Sequence, residues 1–160
     1  MKELKAIFEE MGFDPKTIRL PEADIIYALA RTTNVVSRQL TKVYKRFGLS
    51  IASFNLLMLL KHGKDPDSFT QQTIGRRLVL SPSDMTGLLD RLEKKGLVRR
   101  VPGKDRRSNL LQITPKGSKL LDELWPHHVE VMTRLSRPIS RQDAALLAKV
   151  LVRVREAAEV

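Results

Sequence analysis

Apolar positions recur along this chain with two different periods, and the place where the period changes organises the rest. Leu4, Ile7, Phe8 and Met11 fall at i, i+3, i+4 and i+7, one face of a short helix that Gly12 and Pro15 end. A longer helix is predicted to open after Pro21, with Glu22 and Asp24 in its first turn. Along it Ile26, Thr33, Leu40 and Phe47 repeat every seven residues, interleaved with Leu29, Val36 and Val43. Such a seam suits packing on a partner helix. Lys42, Lys45 and Arg46 complement the dipole of its last turn, and Gly48 stops it. Ser50 caps the next helix, which turns Phe54, Leu57, Met58 and Leu60 inward and closes at Gly63.

After the polar loop 64–68, Thr70 starts a short helix running to Leu78 and anchored by Ile74. Val79-Leu80 leaves room only for a sharp turn. Ser81-Pro82-Ser83-Asp84 is then a strong helix start, with a serine cap, proline at the first helical position and an acid at the third. Met85, Leu88, Leu89 and Leu92 form the apolar face of that helix. Ser83, Thr86, Gly87, Asp90, Arg91 and Lys94 lie opposite, and Gly96 ends it as a left-handed cap. Beyond Gly96 the period shortens. Residues 97–101 and 108–113 read as two strands around Pro102-Gly103, which suits a type II turn, with Lys104-Asp105-Arg106-Arg107 at the tip. Thr114-Pro115 opens another helix, with Leu121, Leu124, His128, Val131 and Leu135 on one face and a kink expected at Pro126. Ser140 caps the last helix, which carries Ala144, Leu147, Leu151, Val154 and Ala158.

Helix, tight turn, helix and basic hairpin is the layout of a winged helix-turn-helix. The predicted fold is therefore mainly α with a small β-hairpin wing, flanked by N- and C-terminal dimerisation helices. Residues 1–48 and 114–160 are assigned to the flanks and 49–113 to the DNA-binding unit. The N-terminal helix has no place in a minimal winged helix, so it is expected to add dimer contacts.

Charge changes this picture from an architecture into a function. The 160 residues carry a formal net charge of +11, which implies a polyanionic partner. Residues 70–120 hold 12 Lys/Arg against 4 Asp/Glu, so most of the excess coincides with the winged-helix segment. A helix with one polar face fits the major groove, and a narrow basic hairpin reaches an adjacent minor groove, whose potential attracts arginine. Ser81, Ser83, Thr86 and Arg91 on the helix, with Asp105, Arg106 and Arg107 at the tip, are the candidate DNA-binding residues. Asp105 is expected to pair with an arginine and shape the tip. Arg99 and Arg100 read equally well as a solvated strand edge or as phosphate contacts.

Other classes fare worse. The chain has no cysteine, no glycine-rich phosphate loop, no HExxH and no nucleophile–base pair, so no catalytic residue and no cofactor are expected. His62, His127 and His128 are the only histidines, too few and too scattered for a metal site. RNA recognition would need stacking aromatics, and these make up 5% of the chain. No apolar run approaches the ~20 residues that span a bilayer, no leader is recognisable, and a cytoplasmic location without membrane association is expected.

The stretch from Leu80 to Thr86, continuing through Leu92-Glu93-Lys94-Lys95-Gly96-Leu97-Val98-Arg99-Arg100, closely resembles the recognition helix and first wing strand of MarR-family regulators. Asp105-Arg106-Arg107-Ser108 resembles their Asp-x-Arg wing motif, and Leu111 to Gly117 their second strand and following helix. The resemblance implies a homodimer on a pseudo-palindromic duplex operator, with Arg107 in the minor groove supported by Asp105. It also implies a repressor released by a small aromatic or phenolic acid. The pocket implied between dimer helices and winged domain draws on Arg31, Arg38, Phe54, Met58 and Trp125, although Trp125 reads more readily as plain core than as a pocket wall. A ligand-independent or architectural DNA-binding protein is the alternative reading. Two departures from the family pattern stand out: Gly87, where a longer polar or basic side chain is common on the DNA face, and Thr73-Ile74-Gly75, which implies closer helix packing.

Overall fold

The computed structural model describes residues 2–12, 14, 24–103 and 109–158, with side chains from residue 6 onward. The elements are α1 (Lys2–Glu10), α2 (Asp24–Arg46), α3 (Ile51–His62), α4 (Gln71–Arg77), α5 (Pro82–Lys94), β1 (Val98–Pro102), β2 (Asn109–Ile113), α6 (Pro115–Ser136) and α7 (Arg141–Ala158). The capping signals operate as their chemistry dictates. Ser50, Thr70, Ser81, Thr114 and Ser140 each accept a hydrogen bond from the backbone N–H three residues on, removing one orphan donor per helix start. Gly48 and Gly96 end α2 and α5 at φ +68, a backbone conformation that costs glycine little.

One core holds the winged unit together. Leu56, Leu57, Ile74, Leu89 and Leu124 are fully buried, drawn from α3, α4, α5 and α6. Tyr44 from α2 joins them at 1% exposure, stacked on Phe54 with ring centroids 4.4 Å apart. The core therefore runs across both flanks. The heptad seam of α2 is split accordingly: Leu40, Val43 and Phe47 pack on this core, while Ile26 stays 45% exposed. The C-terminal half of the seam thus serves the chain's own fold rather than a partner helix, because α2 reaches back over α3 and α6. α1 packs on α2, with Phe8 buried and edge-on to Tyr27 at 5.6 Å.

β1 and β2 pair antiparallel, from Val98 with Ile113 to Pro102 with Asn109. Pro102, expected in a turn with Gly103, is thus instead the last residue of the strand. A further bridge, Thr70 to Leu110, and a 2.8 Å bond from Leu111 N–H to the Phe69 carbonyl tie the wing to the start of α4. α6 is one continuous helix through Pro126. Lost there is a single donor that would have met the Asp122 carbonyl, and packing of Leu121, Leu124 and Val131 on either side keeps the helix unbroken. Gly75 does not enforce close packing either: a Cβ there would sit 3.7 Å from Met85 Cγ, an ordinary contact.

Candidate nucleic-acid interface

α5 presents two opposite faces. Met85, Leu88, Leu89 and Leu92 are buried, whereas Ser83, Asp84, Thr86, Asp90, Arg91 and Lys94 are exposed. The N-terminal turn is organised by the Ser81 hydroxyl, which donates to Asp84 Oδ2 at 2.5 Å and accepts from Asp84 N–H at 3.1 Å. Ser83 Oγ lies 3.0 Å from Ser81 Oγ. Ser81's one proton is already given to the carboxylate, so Ser83 donates here and turns lone pairs outward. Thr86 Oγ1 donates to the Pro82 carbonyl at 3.0 Å and accepts from Gln71 Nε2 at 2.8 Å. Ser81, Ser83, Thr86 and Arg91 therefore share one exposed surface. Asp105, Arg106 and Arg107 lie outside the described residues.

Gly87 leaves no gap on this surface. Its missing Cβ would sit 3.4 Å from Arg91 Nη1, so the guanidinium lies back over the glycine and brings positive charge to that position. The two arginines of β1 divide in role. Arg99 bonds Gln112 across the hairpin at 2.9 Å. Arg100 reaches α5 instead, 2.7 Å from Glu93 and 3.6 Å from Asp90. This clamp sets one positive charge between two carboxylates beside the polar face and ties β1 to α5. Two lysines complete the frame: Lys95 Nζ donates to the Gly48 carbonyl at 2.6 Å and Lys116 Nζ to the Lys95 carbonyl at 2.8 Å, each meeting orphan carbonyls at a helix end. Sequence reasoning missed Gln71, the Arg100 clamp and this lysine pair, because each joins residues on different elements. The only signal available was their residue types next to strong caps.

The joint between α2 and α6 is aromatic. Tyr44 Oη is 2.8 Å from His128 Nδ1, and the imidazole lies 4.8 Å from the Phe54 ring and 5.1 Å from Trp125. Burial pushes the Tyr44 phenol up to about 12 and lowers the His128 imidazole below its ordinary value. Both shifts favour the neutral pair, with the phenol donating to Nδ1.

The candidate pocket residues do not converge within the chain. Met58 and Trp125 line one cavity of about 330 Å³ with His62, Leu121 and Asp122. Phe54 is buried behind it, so it forms core and not a wall. Arg31 faces Glu10 at 4.0 Å and Arg38 is exposed on α2, neither on the cavity. Trp125, 44% exposed, is a wall and not core. Among the described residues no cluster of three or more His, Asp or Glu side chains could hold a metal ion. No single described helix is long and apolar enough to cross a membrane.

A short helix braced under an exposed polar helix, with a basic hairpin clamped to its flank, defines a winged helix-turn-helix DNA-binding protein. Residues 47–108 match the family described as the MarR family. PecS, an HTH-type transcriptional regulator of Dickeya dadantii (strain 3937), is 32% identical over 133 residues, covering 82% of this chain and 80% of PecS. The chain belongs to the MarR family of transcriptional regulators. Its fold is similar to that in the S. aureus MepR–DNA complex, with a TM-score of 0.76 and 19% identity over 86% of this chain and 98% of that one. The 2,4-dichlorophenol-bound form of the organohalide-sensing RdhR regulator shares the fold as well, at TM-score 0.75 and 20% identity over 90% of this chain and 85% of that one.

Proposed function

We propose that this regulator is a homodimeric repressor that binds a pseudo-palindromic duplex operator, acting in the cytoplasm where that DNA is accessible. The terminal helices form the dimer, and residues 49–113 read the DNA. The observation that carries this reading is the polar face of α5, held rigid by four buried apolar residues behind it and by the Arg100 clamp beside it. Ser81, Ser83, Thr86 and Arg91 would meet base edges and phosphates, while Arg106 and Arg107 at the wing tip would enter the minor groove with Asp105 in support. Selection of bound duplexes from a random pool tests this. It is expected to return sites with two-fold symmetry and half-sites one helical turn apart, about 10 bp. Recovery of duplexes with no shared sequence would favour the architectural reading.

A second element of the reading is release by a small aromatic acid. The cavity at Met58 and Trp125 supports it, since Met58, Leu121 and Trp125 give it apolar walls and the His62 ring can donate an N–H to a carboxylate. RdhR, a relative in fold, binds a chlorinated phenol. This site replaces the one implied on Arg31 and Arg38. The cavity lies between α3 of the winged unit and α6 of the dimer arm, so a ligand favouring one spacing of these helices would shift the spacing of the two α5 helices. Trp125, the only tryptophan, reports occupancy. Salicylate is expected to change its fluorescence saturably, in step with loss of operator binding. No response in either signal at millimolar concentrations would leave a ligand-independent regulator.

A further inference from the structure

Thr86 carries an inference about which base the protein reads. Its hydroxyl owns one proton, and that proton goes to the Pro82 carbonyl at 3.0 Å. The oxygen then accepts from Gln71, whose amide nitrogen is 2.8 Å away on the neighbouring helix α4. Both bonds stay inside the protein. Thr86 is nevertheless exposed, in the middle of the polar face of α5. With the polar end spent on the fold, the part of this side chain left for a ligand is its methyl group.

Back-bonding of a threonine to the carbonyl one turn earlier slightly disfavours a helix, and a β-branched residue is no asset on an exposed helical surface. Nothing in the core needs Thr86. The bond from Gln71 adds a second, inter-helical restraint to an exposed side chain that lies outside the core, which is the arrangement expected of a group aimed at a partner. In the major groove the feature that matches a fixed methyl is the C5-methyl of thymine, which distinguishes A·T from every other pair by apolar contact.

We propose that Thr86 reads a thymine methyl in each half-site, and that Gln71 is the positioning residue that holds Thr86 in the reading rotamer. The inference rests on α5 being the recognition helix, as set out under the proposed function. Ser83, with outward lone pairs, and Arg91 remain the polar readers of the same surface.

The test uses the duplex recovered from random-pool selection, remade with deoxyuridine replacing thymine one symmetric pair of positions at a time. This removes the methyl and leaves every hydrogen-bonding edge unchanged. One position is expected to lose roughly fourfold in affinity per half-site, the scale of one buried methyl, and about fifteenfold when both halves are substituted. Thr86→Ser, which keeps the hydroxyl and lacks the methyl, is expected to bind the two duplexes alike. Thr86→Val, which keeps the methyl, retains the preference for thymine. Gln71→Ala lowers the ratio between the two duplexes while its circular dichroism and melting curve stay close to those of the unaltered protein. A deoxyuridine series that is flat at every position, or a Thr86→Ser protein that still prefers thymine, overturns the inference. If that happens while Arg107→Ala still weakens binding, the DNA interface stands and only the methyl reading falls. If substitutions at Ser83, Thr86, Arg91 and Arg107 all leave binding unchanged, the recognition-helix reading itself falls, and this inference with it.

Discussion

Leu147→Glu combined with Leu151→Glu is expected to leave the protein monomeric at micromolar concentration and to cut operator affinity by a factor of about 100 or more. The argument begins from α7, an 18-residue helix in which the chain buries no residue at all. Leu146 is 65% exposed, and Leu147, Leu151 and Val152 lie between 37% and 46%. Isolated helices of this length are marginal in water, because nucleation is costly and most helical stability in proteins comes from packing an apolar face. Such a helix needs a cover. Across an apolar groove of about 660 Å³, α7 faces the N-terminal half of α2, where Ile25 and Ile26 are also about half exposed. Two-fold symmetry lets one copy's helices fill the other's groove, which closes the assembly at a dimer. Carboxylates at Leu147 and Leu151 would have to be desolvated in that interface without partners. α7 contributes nothing to the winged core, so the variant's core should melt as a folded unit and still bind a half-site weakly. Sedimentation of the unaltered protein as a stable monomer would overturn the dimer.

Arg107→Ala is expected to weaken operator binding by about 1–3 kcal/mol per half-site, the range of a good groove contact, and so by roughly twice that for the dimer. The wing tip compounds three effects. Its basic residues sit on the segment where the net charge of the chain is concentrated. The strands that lead to them are fastened to α5 by Arg100 and to the start of α4 through the Thr70–Leu110 bridge. Arginine in a narrow minor groove meets enhanced negative potential with little reorganisation. Titration of labelled operator at two salt concentrations checks this. Affinity of the unaltered protein should drop on the order of 10³-fold between about 50 and 200 mM salt if some six phosphates are neutralised, and the variant should show a shallower slope. An unchanged affinity at moderate salt removes the wing from the interface.

How far the interface was legible depends on the range of the interactions that build it. Ser81-Pro82-Ser83-Asp84 announced the start of α5 because a cap is satisfied within four residues, and the structure places those bonds where the spacing requires them. The opposed apolar and polar faces of α5 followed from a period of 3.6. Gly87 misled in part. A glycine on the polar face reads as a vacancy, but Arg91, one turn along, folds back over it. Arg100 was undecided between strand edge and phosphate contact, since its partners Asp90 and Glu93 come from the preceding helix and a crossing angle cannot be read from a strand's own residues. The residues named for a pocket part company for the same reason: Met58 and Trp125 line one cavity, while Arg31 and Arg38 sit elsewhere on α2.

The sequence alone determined the element order, the caps, the buried face of α5 and the concentration of charge on the winged segment. All of these arise from neighbours one to seven positions apart, or from composition, and need no knowledge of how elements meet. Only the tertiary structure decided which half of α2 serves the core, how β1 is fastened to α5, which cavity Trp125 borders, and that the Thr86 hydroxyl is consumed by Gln71 and Pro82. Those depend on side chains brought together from separate helices. Such contacts are set by packing a common core to high density, and local periodicity carries no record of them.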